Sequence, residues 1–431
     1  MGVAVLILGL VCLSLFALKG IPIVIAAFLS SLIVMLLSGL DVLTTFKTVF
    51  MPGMTAFITN YFIIFLLGAF FGKIVELSGA AETISRTITG RFGEKYVAAG
   101  VIIAAAILTM GGVSVYVALF ALYPISMSLF KQADMPRRLF AACYMCGAGT
   151  FTMTGPFSPA IQNVIPTTYL GTTVAAAAVP GVITAVFCAV LGILYMQWRV
   201  KKVRLAGEHF VSLTEDVVIQ EDAKRPNFIL SILPLVILIF TLNVLKFPIE
   251  GALLAGVISG IVLYFPYIPK DFKFLVKSFY QAITDATMAI TNTGTTVGFG
   301  KVVASTAAFA GLIPAVTNLG GNPLVAAAVA TTCLAGISGS SSGGLGIATP
   351  LIGQIFLPLG VNAQALHRVL TVASSGLDSM PHNGGVVTFL NFSKTTHKEG
   401  YFDIFIVSVV ITLLQTILLL ILISAMGMTW A

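Results

Sequence analysis

The sequence predicts an all-α membrane protein, an inverted-topology repeat of two five-crossing halves, each with one re-entrant hairpin and one broken helix. Three observations predict it. Of the 431 residues, 58% are hydrophobic and only 9% charged, against about 25% charged in soluble globular chains. Apolar runs long enough to cross a hydrocarbon core, which takes about 20 residues, recur from end to end and repeat their order on either side of one polar stretch. Glycine, serine and proline interrupt those runs at corresponding places in the two halves.

Composition excludes several classes. The formal net charge is +7, but Lys and Arg are scattered singly between apolar segments, so no stripe exists for a nucleic acid to follow. Cys12, Cys143, Cys146, Cys188 and Cys333 all fall inside apolar runs, where cysteine behaves as a small buried hydrophobe, and no disulfide is expected. Cys143 and Cys146 have C-x-x-C spacing without a second ligand pair, so neither a redox nor a metal role is expected. The first run, 3 to 18, lacks a basic flank and a small-residue cleavage site, and reads as a retained helix rather than a signal peptide.

Apolar runs lie at 3–18, 21–39, 55–72, 97–130, 139–169 and 172–197, then at 228–245, 249–268, 281–299, 323–360, 363–392 and 402–426. Between the sets lies a hydrophilic linker, 198–226, with Arg199, Lys201, Lys202, Arg204, Lys224 and Arg225. This makes 1–197 the N-terminal repeat and 227–431 the C-terminal one. Pro22 falls opposite Pro248, Gly72-Lys73 opposite Gly300-Lys301, Gly112 opposite Gly339, Arg138 opposite Arg368 and Pro156 opposite Pro381, in one order and at a near-constant offset.

Cytoplasmic loops retain Lys and Arg. With the linker inside and each half crossing five times, both termini lie outside, and the outer face carries only Lys47, Lys246, Lys301 and Arg368. The hairpins, 97–130 and 323–360, rest on other evidence. The first has Gly111-Gly112-Val113-Ser114 in its middle, and the second has Gly336-Ile337-Ser338-Gly339-Ser340-Ser341-Ser342-Gly343-Gly344. Open backbone at membrane depth is tolerated only where protein buries it or water reaches it. Two arms meeting at a polar tip satisfy that condition.

The broken helices, 136–169 and 363–396, follow the hairpins. One break contains Thr152, Thr154, Gly155, Pro156, Pro159 and Asn163, and the other Ser374, Ser375, Asp378, Ser379, Pro381, His382 and Asn383. Proline removes a backbone donor and stops a continuous helix. Broken helices at matching positions in two halves point to a transporter's binding site. Half-helices that begin at the midplane offer free N–H groups to an anion, while loose carbonyls and hydroxyls can ligate a cation. The expected ligand is a small, polar, anionic molecule. The alternative for Gly and Ser is close helix packing, favoured for Gly68-x-x-x-Gly72 and Gly256-x-x-x-Gly260.

Candidate substrate contacts are Gly112, Ser114, Thr152, Thr154, Gly155 and Asn163 in the first half. In the second they are Ser338, Ser340, Ser341, Ser342, Gly343, Ser379, His382 and Asn383. Asp378 and His382 are ionisable groups inside an apparent span, which marks function by default, and are the candidate coupling residues. Being four apart, they would approach each other in a helix, and histidine titrates near neutrality. The competing roles are structural: Asp378 capping the half-helix after Pro381, or His382 bonding a freed carbonyl. Gly339-Ser340-Ser341-Ser342-Gly343 also fits G-x-S-x-G, but a nucleophile elbow needs a preceding strand, and none is readable. No Walker sequence or metal-ligand cluster occurs, so neither an enzyme nor a metal or organic cofactor is expected.

The stretches 336–348 and 375–387, the latter reading Ser-Gly-Leu-Asp-Ser-Met-Pro-His-Asn-Gly-Gly-Val-Val, resemble the gluconate permease (GntP) family of the ion transporter superfamily, over essentially the full length. Asp378-Ser379-Met380-Pro381-His382-Asn383-Gly384 looks most like its D-beta-hydroxybutyrate permease branch. The resemblance implies an elevator-type homodimer in the bacterial inner membrane. Runs 1–72 and 227–299 would be scaffold, 73–96 and 300–322 arms, and substrate would lie between hairpin tips and breaks. It also implies proton symport of a small hydroxy-carboxylate such as 3-hydroxybutyrate. Dicarboxylate relatives use Ser-Asn-Thr tips and sodium; this chain lacks that tripeptide at both tips, which disfavours sodium. Gluconate, another sugar acid or a dicarboxylate remains the alternative substrate, and an uncoupled channel-like protein the remote one.

Overall fold

The computed structural model describes residues 2–19, 21–93, 96–113, 115–213, 224–309, 321–381 and 383–431. Among these the regular structure is helical, with one isolated bridge between Val361 and Trp430. The first half contains α1 (Gly2–Leu18), α2 (Ile23–Leu37), α3 (Val42–Leu77), α4 (Ala80–Phe92), α5 (Val97–Met110), α6 (Val115–Gln132), α7 (Phe140–Ala148), α8 (Phe151–Thr154), α9 (Ile161–Leu170) and α10 (Ala178–Leu205). The second contains α11 (Phe228–Asn243), α12 (Ile249–Tyr264), α13 (Phe272–Ala304), α14 (Pro323–Ser338), α15 (Ser341–Phe356), α16 (Ala363–Ala373), α17 (Gly384–Phe392) and α18 (His397–Ala425). By length and composition α3, α10 and α18 can each cross a membrane.

Local chemistry explains the boundaries. Pro22 and Pro248 stand at the N-caps of α2 and α12, where a missing N–H costs nothing. Asn227, Asp271, Asn322, Ser340 and Asn362 cap α11, α13, α14, α15 and α16 with side-chain oxygens, satisfying first-turn donors that have no partner within the helix. Gly112 and Gly339 turn the two hairpin tips at φ of 90° and 58°, where a Cβ would be strained.

Several sequence boundaries shift. The linker was placed from 198, yet α10 continues through Leu205, because basic residues are good helix formers and suit a helix C-terminus. Arg199, Lys201, Lys202 and Arg204 are therefore helical. The scaffold-to-arm boundaries at 72/73 and 299/300 fall inside α3 and α13, since polarity changes there without a helix breaker. Residues 94–95, 214–223 and 310–320, parts of the two arms and the linker, lie outside the described residues. Cys333 is exposed, not buried as its apolar surroundings suggested.

The packing rests on glycine. A Cβ at Gly298 of α13 would stand 2.9 Å from the Phe50 carbonyl of α3, and one at Gly294 would be 3.3 Å from the Met54 carbonyl. A Cβ at Gly256 of α12 would stand 3.3 Å from Phe71 of α3, and one at Gly260 3.1 Å from Ile74, as close-packing glycines require. Gly68 does not, since its Cβ would meet nothing within 4 Å. The tightest approach is Gly147 of α7, whose Cβ would stand 2.1 Å from the Ile102 carbonyl of α5. Gly147→Ala therefore forces two backbones apart and is expected to cost about 1–3 kcal/mol, measured as a lower melting temperature in detergent. Gly68→Ala serves as the neutral control, and equal melting of the two variants would contradict the packing argument.

Helices α5 and α6 form one hairpin and α14 and α15 another. The first opens toward the linker: Asp134, just beyond α6, accepts from His209 Nδ1 at 2.6 Å and from the Phe210 N–H at 2.9 Å. The His209 hydrogen bond, followed by the Phe210 N–H, holds the Asp134 carboxyl below its usual range. The second opens at the far end of α18, where Asn322 donates to Ser424 Oγ at 2.9 Å and the Asn362 N–H to the Thr429 carbonyl at 3.1 Å. On the linker side Arg138 grips Glu208 with two 2.7 Å bonds.

Candidate functional site

The tip of the second hairpin sits directly on the second break. Ser374 donates to the Thr371 carbonyl at 2.7 Å, so in its 2.6 Å contact with Ser341 it is the acceptor. Asn383 Nδ2 donates to the carbonyls of Gly339 in the tip and Asp378 in the break, both at 2.9 Å. Its Oδ1 accepts from the Val386 N–H. The cap of α17 is thus Asn383, not Asp378, because Asn383 is adjacent to the first turn. Asp378 is 5% exposed and accepts from Ser379 Oγ at 2.8 Å. Among the described residues no Lys or Arg forms an ion pair with it.

The segment from Ser374 to Pro381 is not helical, so helical i, i+4 spacing does not apply to Asp378 and His382. Ser114 and His382 lie outside the described residues, as does the Ser338 side chain. Ser340 is the α15 cap, accepting from the Gly343 N–H at 3.1 Å and standing 3.3 Å from Ser342 Oγ. Gly343 faces α13, its Cβ position 3.3 Å from Thr296.

The first tip lies against the first break, the Cβ position of Gly112 being 3.5 Å from Pro159. The threonines there turn inward: Thr150 donates to the Cys146 carbonyl, Thr152 to Gly147 and Ala148, and Thr154 to Thr150. Gly155 closes α8, and its Cβ would fall 2.6 Å from the Phe151 carbonyl. Asn163 is fully committed. Its amide donates to the carbonyls of Ser158 and Val174, and its oxygen accepts from His367 Nε2 at 3.2 Å and Arg368 Nη1 at 2.9 Å.

Arg368 is the residue the sequence misplaced. Its position near the turn before α16 suggested an outward-facing loop charge, yet it is 0% exposed. It donates to the carbonyls of Thr154, Val174 and Ala176 and to Asn163, at 2.6 to 3.0 Å. One helix, α16, therefore serves both breaks. Its His367 and Arg368 reach the first, and Ser374 at its end meets the second tip about 10 Å away, by helical rise over two turns. A loop charge and a buried one look alike until their partners are known; the only hint was a basic pair, His367-Arg368, inside an amphipathic run.

The match that decides the family spans nearly the whole chain: the model for GntP family permeases matches residues 1–426. The chain belongs to the GntP permease family. It is 33% identical to the uncharacterized transporter YxjC of Bacillus subtilis (strain 168) over 96% of this chain and 97% of that one. An uncharacterized transporter of Haemophilus influenzae is 24% identical over 73% of each chain. Among solved structures, the Alcanivorax borkumensis YdaH transporter superposes with a TM-score of 0.61 at 17% identity, covering 91% of this chain and 90% of that one. That likeness concerns the fold. As a GntP family permease the chain is an integral membrane transporter and not an enzyme.

Proposed function

We propose that this GntP permease is a proton-coupled symporter of a small hydroxy-monocarboxylate such as 3-hydroxybutyrate. It works as an elevator-type homodimer of inverted repeats in the bacterial inner membrane, with linker inside and termini outside. The observation that carries the reading is Asp378, a buried carboxyl whose described side-chain partner is a neighbouring hydroxyl. It lies where a hairpin tip is hydrogen-bonded to a broken helix. An intramembrane acid so placed can take up and release a proton as the tip opens and closes. Ser379, bonded to it, Ser341 at the contact between tip and break, and the start of α17 offer polar groups at the same junction, and His382 remains a second coupling candidate.

The test is uptake into proteoliposomes. Under an imposed proton gradient 3-hydroxybutyrate should accumulate, and collapsing that gradient at clamped voltage should stop it. Undiminished accumulation after collapse would reject proton coupling, and accumulation driven by a sodium gradient alone would replace the proton with sodium. Preferential uptake of gluconate or a dicarboxylate would replace the substrate. Ser341→Ala removes the donor to Ser374 and strands a buried oxygen, a loss of about 1–3 kcal/mol. Uptake at subsaturating substrate should therefore fall about tenfold with expression unchanged.

A further inference from the structure

Arg368 presents an unbalanced charge. Its five N–H groups are all bonded, but to carbonyl and amide dipoles that leave the unit charge in place. Among the described residues no carboxylate pairs with it, and it is fully buried. Buried cations in membrane segments pair with acids or with backbone carbonyls; Arg368 takes the second course, which satisfies its donors and leaves its charge uncancelled. A purely structural tie between α16 and the first break could be made by a neutral donor, without desolvating a charge.

A second observation lies one residue from its partner Asn163. Gln162 Oε1 is buried with no hydrogen-bond partner, on a residue 5% exposed. Gln162 stands in the first turn of α9, whose opening N–H groups follow the break directly. The first break thus has a fixed positive charge bonded to Asn163, a helix N-terminus and, one residue before Asn163, an uncommitted acceptor. Asp378 belongs to the second break, at the other end of α16.

We infer that Arg368 is the fixed counter-charge of the transported anion, acting on the first break through its field rather than by contact, and that Gln162, at the start of the helix that follows this break, accepts the substrate's hydroxyl. This rests on the substrate class proposed above. The two halves divide the work: the first holds the carboxylate end, and the second carries the coupling acid.

The decisive variant is Asn163→Asp, which sets a carboxylate 2.9 Å from Arg368 and supplies an internal counter-ion where the fold already has a hydrogen bond. It also removes the amide that donates to the Ser158 and Val174 carbonyls, so its melting temperature should fall, and the folded fraction should show about a tenfold higher KM for 3-hydroxybutyrate or loss of uptake. The thermal shift produced by 3-hydroxybutyrate, butyrate or gluconate should vanish as well. The weak response to uncharged 3-hydroxybutyramide should not change. Arg368→Lys should keep the anion response, and Arg368→Gln should lose it, so the charge is read even if one variant folds poorly. Gln162→Met should reduce discrimination between 3-hydroxybutyrate and butyrate by about tenfold. If wild type responds to carboxylates and Asn163→Asp and Arg368→Gln respond equally, the counter-charge is overturned while the substrate class stands. If no carboxylate shifts the wild type, both fall together.

Discussion

Asp378→Asn is expected to abolish accumulation of 3-hydroxybutyrate against its gradient while leaving a folded protein that still exchanges substrate down its gradient. The geometry separates charge from structure here. Ser379 Oγ donates to Asp378 Oδ1 at 2.8 Å, and an asparagine oxygen accepts the same bond. Asn383 binds the Asp378 carbonyl, which the substitution does not touch. What disappears is only the capacity to gain and lose a proton. In a reconstituted system the expected signature is loss of proton-driven uptake, to background, with counterflow exchange retained. Proton-driven accumulation at the wild-type rate in this variant would remove Asp378 from the coupling step and leave His382 as the group to examine.

Asp403→Ala is expected to be the most destabilising substitution outside the candidate site. Asp403 is 0% exposed and collects three donors: Arg199 Nε at 2.6 Å and Tyr195 at 2.7 Å on Oδ1, and Arg138 Nη1 at 3.1 Å on Oδ2. It ties α18 to α10 and to the start of α7. Truncating the acid leaves two guanidinium groups, each largely covered, that have lost their shared anion. Breaking a buried pair in this way costs about 3–5 kcal/mol. Arg138 keeps Glu208, which places the expected loss near the lower end, about 3 kcal/mol. The measurement is the melting temperature of the purified protein in detergent. Arg199→Ala added to Asp403→Ala should cost less than the sum of the two, because the second removes a charge the first stranded. Full additivity would show that the network contributes nothing as a unit.

The fold and the candidate site were legible to different depths. Proline at 156 and 159 and at 381 marked both breaks, and glycine at 112 and 339 both tip turns, because those residues act on the backbone wherever they stand. The roles of hydroxyls were less legible. Serine and threonine look equally available in a sequence, yet Thr150, Thr152 and Thr154 donate within their own segment, whereas Ser341 reaches across to Ser374. Gln162 carried no signal beyond its place next to Asn163. The linker's charges hinted at solvent, and several of them extend α10 instead.

By itself the sequence determined that this chain lives in a membrane, where its helices are interrupted, and which acid lies inside a span. Hydropathy, proline, glycine and an isolated aspartate act locally, and a linear reading captures them. Only the tertiary structure decided which break each tip meets, that Asn163 and Asn383 are structural ties, and that Arg368 is a buried charge rather than a loop cation. The energy of a charge is set by its partners, and those of Arg368 at Thr154, Asn163, Val174 and Ala176 are supplied by the opposite half of the chain.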